Sequence, residues 1–298
     1  MNDLPLQQIL AQLTRIANSL EQAFPAPINN TIHGDTIAYL WEHRFFNGVE
    51  QPVLIPVEEP NLISFDDLKN IDRQKGLIEQ NTRQFVEGLP ANNVLLTGAR
   101  GTGKSSLIKA CLNAFHKQGL RLIEVDKEHL MDLPQIVSLT RGRPERFIIF
   151  CDDISFEEGE TGYKGLKTVL DGSIAGKSDN TLIYATSNRK HLMPERIDDN
   201  LSYRTDQQGE IHPGEVIEEK VSLSERFGLW ISVYGFTQEQ YLAAVSQWLN
   251  TYGIEMGNNE DIAKESIRWA TYRGSRSGRI AAQFAKDYAG RLKSKVNQ

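Results

Sequence analysis

One stretch constrains this chain more than any other: Asn93-Val94-Leu95-Leu96-Thr97-Gly98-Ala99-Arg100-Gly101-Thr102-Gly103-Lys104-Ser105-Ser106. It reads as a short apolar strand, a glycine-rich turn and the opening of a helix that continues through Leu107-Ile108-Lys109-Ala110-Cys111-Leu112. From Gly98 to Ser105 it matches G-x-x-x-x-G-K-[ST], the pattern of a phosphate-cradling loop. Gly98, Gly101 and Gly103 permit backbone angles closed to other residues, so the chain can approach a phosphate closely. The amides of Ala99, Arg100, Thr102 and Ser106 then converge with those of the glycines on an anion, aided by the positive end of the following helix. Lys104 is expected to reach the β- and γ-phosphates of a nucleoside triphosphate, and Ser105 to place its hydroxyl on Mg2+. Such a loop must sit between a buried strand and a helix, so it dictates an α/β fold.

The rest of the chain fits that demand. Apolar runs predict strands at Val94–Thr97, Leu120–Val125, Phe147–Cys151, Leu182–Thr186 and Leu229–Val233, alternating with helical segments. Alternation of this kind implies a parallel sheet sandwiched by helices, with ligands at the carboxyl ends of the strands. A helix is expected from about Arg73 to Glu87, and three more near Thr237–Tyr252, Asn259–Tyr272 and Ser275–Lys293. The implied division is a helical extension and linker at 1–61, a core at 62–234 and a helical lid at 235–298.

Within 1–61, Leu6, Leu10, Leu13, Ala17, Leu20 and Phe24 recur at a 4-3-4-3-4 spacing, with Ile9 and Ile16 widening the stripe. That is an amphipathic helix, expected to pack on the rest of the protein, with a coiled-coil contact to another copy as the alternative. The segment Ile37 to Phe46 is read as a second helical patch, and Val53-Leu54-Ile55, set among Pro52, Pro56 and Pro60, as an extended linker. His33 and His43 receive no role. Residues 198–220 are polar and irregular and are expected to form a mobile loop.

A second acidic feature follows an apolar strand: Phe147-Ile148-Ile149-Phe150-Cys151 ends in Asp152-Asp153. Adjacent carboxylates are costly to bury unless they lie at the open end of the strand, which is where the phosphate loop also opens. Asp152 is then expected to bind Mg2+ together with Ser105, and Asp153 to polarise the attacking water. Aspartate is one methylene shorter than glutamate, so Asp153 must approach more closely or be assisted by a neighbour such as Glu157, and turnover is expected to be slow.

Taken together, these motifs and five further features resemble the AAA+ ATPase family. Ser64-Phe65-Asp66-Asp67-Leu68 through Ile71-Asp72 is similar to its adenine-contacting segment, which would make Leu68 and Ile71 base contacts. The strand ending in Ser187-Asn188 resembles the sensor 1 strand, and the resemblance implies that Asn188 orients the water. Ser224-Glu225-Arg226-Phe227-Gly228-Leu229 resembles the arginine-finger segment, so Arg226 would act in the nucleotide site of a neighbouring subunit. The C-terminal helices look like the lid, and Ser277-Gly278-Arg279-Ile280 like the sensor 2 motif, with Arg279 on the γ-phosphate and Arg276 as its rival. More particularly, Asp152 to Glu157, Ala185-Thr186-Ser187-Asn188-Arg189 and Glu210 to Glu215 together look like an uncharacterised bacterial AAA+ family catalogued as a domain of unknown function.

The resemblance implies an ATPase that assembles as a homo-oligomer and remodels or loads a macromolecular partner. The alternatives are a nucleotide-gated adaptor with little turnover, similar to helicase loaders, and a P-loop kinase of a small molecule. The interval Asp126 to Pro134 has no aromatic-apolar-glycine triplet, which argues against threading of polypeptide, and no N-K-x-D segment reads guanine, which favours ATP. The net charge of −6 argues against coating nucleic acid by charge alone. From Ile262 onward, however, nine Lys/Arg face only Glu265 and Asp287, so the last helix is either a solvated face or a nucleic-acid patch. Two cysteines inside apolar runs, no leader-like segment and no apolar run of about 18 residues point to a cytoplasmic chain with no membrane partner.

Overall fold

A computed structural model describes residues 4–23, 30–46, 48–156, 160–172, 179–189, 192, 204–205, 211–212, 223–257 and 259–296. Its centre is a seven-stranded sheet in the order β2-β1-β4-β5-β6-β3-β9. The strands are β1 (Ala38–Phe46), β2 (Val49–Pro56), β3 (Val94–Thr97), β4 (Leu120–Val125), β5 (Arg146–Cys151), β6 (Thr181–Ser187) and β9 (Leu229–Ser232). All neighbouring pairs are parallel except the β1–β2 hairpin. A separate two-residue ribbon pairs β7 (Arg204–Thr205) with β8 (Ile211–His212).

Burial on both faces explains why the central strands read as unbroken apolar runs. Along β5, Phe147, Ile149 and Cys151 enter one core, while Ile148 and Phe150 enter the other. On β3, Leu95 faces the first core, and Val94 and Leu96 face the second. The second core is closed by α2 (Asp72–Val86) and α3 (Lys104–Phe115). The first is closed by the 3-10 turn Lys127–Asp132, α4 (Leu133–Thr140) and α5 (Gly162–Asp171). Cys111 and Cys151 are fully buried, and burial pushes both thiols up to about 12, so neither ionises near neutral pH. The C-terminal helices α6 (Gln238–Thr251), α7 (Glu260–Tyr272) and α8 (Gly278–Val296) build a third core of their own around Tyr241, Val245, Leu249 and Phe284.

Three expectations are corrected. Residues 37–46 are not helical: β1 pairs parallel with β4, from Ala38↔Leu122 to Trp41↔Val125. Nor is Val53-Leu54-Ile55 a linker, since it lies in β2, paired antiparallel from Tyr39↔Pro56 to Phe46↔Val49. Proline read there as punctuation is tolerated because β2 is the edge strand, where one side needs no N–H donor. A short apolar cluster such as Tyr39-Leu40-Trp41 carries too few residues to separate a period of 2 from one of 3.6. The third correction concerns α1 (Leu4–Ala23), which is helical as expected but whose stripe, where its side chains are described, is not buried. Ile9, Leu10, Leu13 and Ile16 are 54–65% exposed. The mobile loop expected at 198–220 falls outside the described residues apart from the β7–β8 ribbon, and Glu157 falls outside them as well.

Candidate functional site

The turn from β3 into α3 takes its shape from its glycines. Gly98, Gly101 and Gly103 have φ of +140°, +78° and +96°, in the region that L side chains rarely adopt. At Gly98 a Cβ would lie 1.9 Å from the Val233 carbonyl oxygen, and at Gly101 2.8 Å from Ser277 Oγ. The first contact fixes the loop against the strand beside it. The second presses it against the residue preceding α8, where the Arg279 N–H also approaches the Gly101 carbonyl at 3.5 Å.

Lys104 turns back over this loop. Its Nζ donates to the carbonyls of Gly98 (2.7 Å) and Ala99 (2.9 Å) and to Asn188 Oδ1 (2.8 Å). Burial holds its ammonium below the ordinary lysine value; Asp153 and Asp152 oppose that shift, while Arg279 and Arg100 add to it. Thr102 Oγ1 donates to Ala99 O at 2.9 Å, closing the turn from inside.

The two acids stand at the carboxyl end of β5, next to this loop. Asp152 Oδ1 accepts from Ser105 Oγ (2.7 Å) and from Thr186 Oγ1 (2.6 Å). Thr186 Oγ1 in turn accepts the Asp153 N–H at 2.8 Å. Asp153 has φ of +50°, a left-handed conformation that aspartate tolerates better than most residues. That bend aims its carboxylate away from Asp152: Oδ1 accepts from Asn188 Nδ2, and Oδ2 lies 3.5 Å from Arg100. One connected network thus joins Lys104, Asn188, Asp153, Thr186, Asp152 and Ser105. Sequence reasoning gave Thr186 no role of its own, yet it joins Asp152 to the backbone of Asp153, whose carboxylate in turn holds the sensor-like Asn188. Its signal was its place, two residues before Asn188 on an inward-facing strand end.

A cleft of about 530 Å³ opens over this network, within the usual range for small-molecule sites. Its polar end is lined by Arg100, Gly101, Thr102, Gly103, Lys104, Ser105, Ser106, Asp152, Asp153 and Asn188. Its apolar lining comprises Leu68 and Ile71, the latter beside Gly103, with Phe236 from the segment before α6 and Ala244, Trp248 and Ala282 from α6 and α8. Arg279 lines the cleft, whereas Arg276 is not among its lining residues. Phe236 and Trp248 went unread because they reach the site from an element more than a hundred residues along the chain. Ser105 Oγ and Asp152 Oδ1 form a hard oxygen pair of the kind Mg2+ prefers, so the donor set fits that ion.

Arg226 lies elsewhere. It precedes Leu229, which pairs with Val94 at the start of β3, whereas the phosphate loop follows Thr97 at its end. Its Nε donates to Asp171 Oδ1 at the last residue of α5, and it lines a different cleft, with Arg146 and Gly228. The chain therefore does not bring Arg226 to its own phosphate loop. The basic C-terminal helices are partly neutralised locally: Arg291 pairs with Glu265 (2.5 Å) and Asp287 (2.8 Å), and Lys264 with Glu260 (2.8 Å). Arg273 stacks on Trp269, 3.7 Å from its ring centre. Among the described residues no helix is long and apolar enough to cross a membrane.

Comparison with solved structures bears on the fold. The FIGL-1 AAA domain in complex with ADP matches at 17% identity and a TM-score of 0.51, over 79% of this chain and 76% of that one. Aeropyrum pernix ORC1 in complex with DNA matches at 13% identity and a TM-score of 0.54, over 79% and 62%. A point mutant of Thermotoga maritima RuvB matches at 15% identity and a TM-score of 0.48; the aligned region spans 74% of this chain but 61% of that one. A search of curated proteins found no significant match. The family model described as "Protein of unknown function (DUF815)" matches residues 34–292. With that match over most of its length and an AAA+ ATPase fold, the chain belongs to this family of unknown function.

Proposed function

We propose that the chain binds ATP in the cleft over the phosphate loop and hydrolyses it to ADP and phosphate at a site completed by Arg226 of a neighbouring copy. The observation that carries this reading is the network joining Lys104, Asn188, Asp153, Thr186, Asp152 and Ser105 at one mouth of the sheet, with Arg226 at the opposite end. In this reading the loop amides and Lys104 hold the phosphates, and the apolar lining of the cleft, with Leu68, Ile71 and Trp248, takes the adenine. Ser105 and Asp152 would hold Mg2+, which when bound supplies charge neutralisation on the phosphates. Asp153 accepts the proton of the attacking water while Asn188 holds that water in line. Arg279, which lines the cleft and lies against Gly101, couples the C-terminal helices to the γ-phosphate.

Chemistry divided between two copies ties turnover to assembly, which suits a homo-oligomer that remodels or loads a macromolecular partner in the cytoplasm. A nucleotide-gated adaptor with little turnover is the second reading, favoured by one feature. Both carboxylate oxygens of Asp153 are already engaged, by Asn188 and Arg100, so the base must exchange partners before it can act. The local pairing of Arg291 and Lys264 weighs against a nucleic-acid patch on the last helices.

Phosphate release per chain, measured as protein concentration rises, tests the shared site. Specific activity is expected to climb for the native protein and to stay flat and low for Arg226→Ala. Constant specific activity, equal in the two proteins, would overturn it.

A further inference from the structure

A second cluster of chemistry-bearing side chains lies far from the phosphate loop, where the edge hairpin meets the turn after β4. Trp41 and His43 are two residues apart on β1, so both project from the same face of the sheet. The 3-10 turn Lys127–Asp132 covers that face, and in such a turn residues three apart eclipse, which sets His129 directly beside Asp132. One donor atom each from His43, His129 and Asp132 fall within 4.8 Å of one another, and all three residues are half-buried. The two imidazoles stack with centroids 4.2 Å apart and planes 21° from parallel.

Asp132 Oδ2 lies 2.6 Å from His43 Nε2 and also accepts the Trp41 indole N–H at 2.9 Å. A ring nitrogen and a carboxylate oxygen at that distance need a positive centre between them, a proton or a cation. On the other side of His43, Nδ1 lies 3.5 Å from Glu50 Oε1 on β2. That carboxylate is placed to accept from an Nδ1 N–H, which leaves the Nε2 lone pair aimed at the cluster, the orienting arrangement common behind metal-bound histidines. The turn is also braced from behind: Leu130 is fully buried, and a Cβ at Gly165 of α5 would lie 2.1 Å from the Leu130 carbonyl oxygen.

We infer that His43, His129 and Asp132 form a binding site for a divalent transition-metal ion, with zinc the best fit. Two imidazoles and one carboxylate suit zinc and its neighbours rather than magnesium or calcium, which take oxygen ligands. Ligands at about 2.1 Å in a tetrahedron stand about 3.4 Å apart, so the 2.6 Å His43–Asp132 pair must open and the stacked His129 ring must turn to bring its nitrogen in, movements that side-chain rotation supplies. Binding requires the proton between His43 Nε2 and Asp132 to leave that position, passing to Nδ1 opposite Glu50 when the ring is neutral or to solvent when it is protonated on both nitrogens, and water fills the fourth position. The site is structural in effect: it fastens the β1–β2 hairpin to the turn that leads into α4, and it stands independently of the nucleotide reading.

The test is zinc binding by the full chain, stripped of metal and equilibrated against chelator-buffered zinc, beside His129→Gln and Asp132→Asn. Asparagine keeps an acceptor for Trp41, so that variant preserves the fold-supporting hydrogen bond. One zinc per chain is expected for the native protein, with affinity falling at least tenfold in each variant. Cobalt substituted into the native protein provides a readout that needs no variant, with the visible absorption of a four-coordinate nitrogen–oxygen site expected. No stoichiometric zinc at micromolar free metal, binding unchanged in both variants, or a six-coordinate cobalt spectrum would each overturn the inference.

Discussion

The two ends of the sheet are built differently. At the carboxyl ends of β5 and β6, Asp152, Asp153, Thr186 and Asn188 close with Lys104 and Ser105 at the start of α3 into one hydrogen-bonded network. At the amino end of β9, Arg226 is held by Asp171 of α5, with no part in that network. A four-residue strand separates the two levels by roughly 13 Å, more than a side chain can bridge across the packed sheet. The difference teaches what one copy can do alone. In the proposed function the carboxyl end grips the triphosphate, whereas Arg226, proposed to meet transition-state charge in a neighbouring copy, sits at the other end of the sheet beside Asp171.

That contrast orders the expected effects of substitution. Largest is Lys104→Ala: its ammonium donates to two loop carbonyls and to Asn188 and, in the proposed function, is the charge that holds the phosphates, so ATP binding is expected to vanish in calorimetry. Retained affinity in that variant would remove the loop from the nucleotide site. Next is Asp153→Asn, which leaves Ser105, Asp152 and the loop in place. Turnover is expected to fall about a hundredfold or more with ATP affinity within a few-fold of native, because the lost group acts only on the water. A matching loss of affinity would instead make Asp153 a binding residue and blur the division between gripping and chemistry.

Much of this was legible from the residues. The runs at β3, β4, β5, β6 and β9 declare themselves because strands buried on both faces tolerate little polar interruption. The loop declares itself because its glycines adopt angles that almost no other residue accepts. The β1–β2 hairpin was illegible for the opposite reason. The edge strand β2 is free to carry Pro52 and Pro56, and β1 runs past its pairing with β4 and exposes Phe45, so neither composition nor period marks the hairpin as sheet. Leu68 and Ile71 were singled out by resemblance, but Phe236 and Trp248, which line the same cleft, come from the C-terminal region, and a shared cleft over that sequence distance leaves no local pattern. The stripe on α1 was read correctly as amphipathic; its burial was not, because periodicity shows which face is apolar but not what covers it.

The most direct test of the shared site is to mix two inactive proteins. Lys104→Ala keeps Arg226 but cannot hold ATP, while Arg226→Ala holds ATP but cannot complete the neighbouring site. Each alone is expected to release little phosphate, and the equimolar mixture to regain a substantial fraction of native turnover, because mixed assemblies contain intact sites made from one of each. A mixture no more active than the two proteins measured apart would contradict the shared site and leave Arg226 as a structural partner of Asp171.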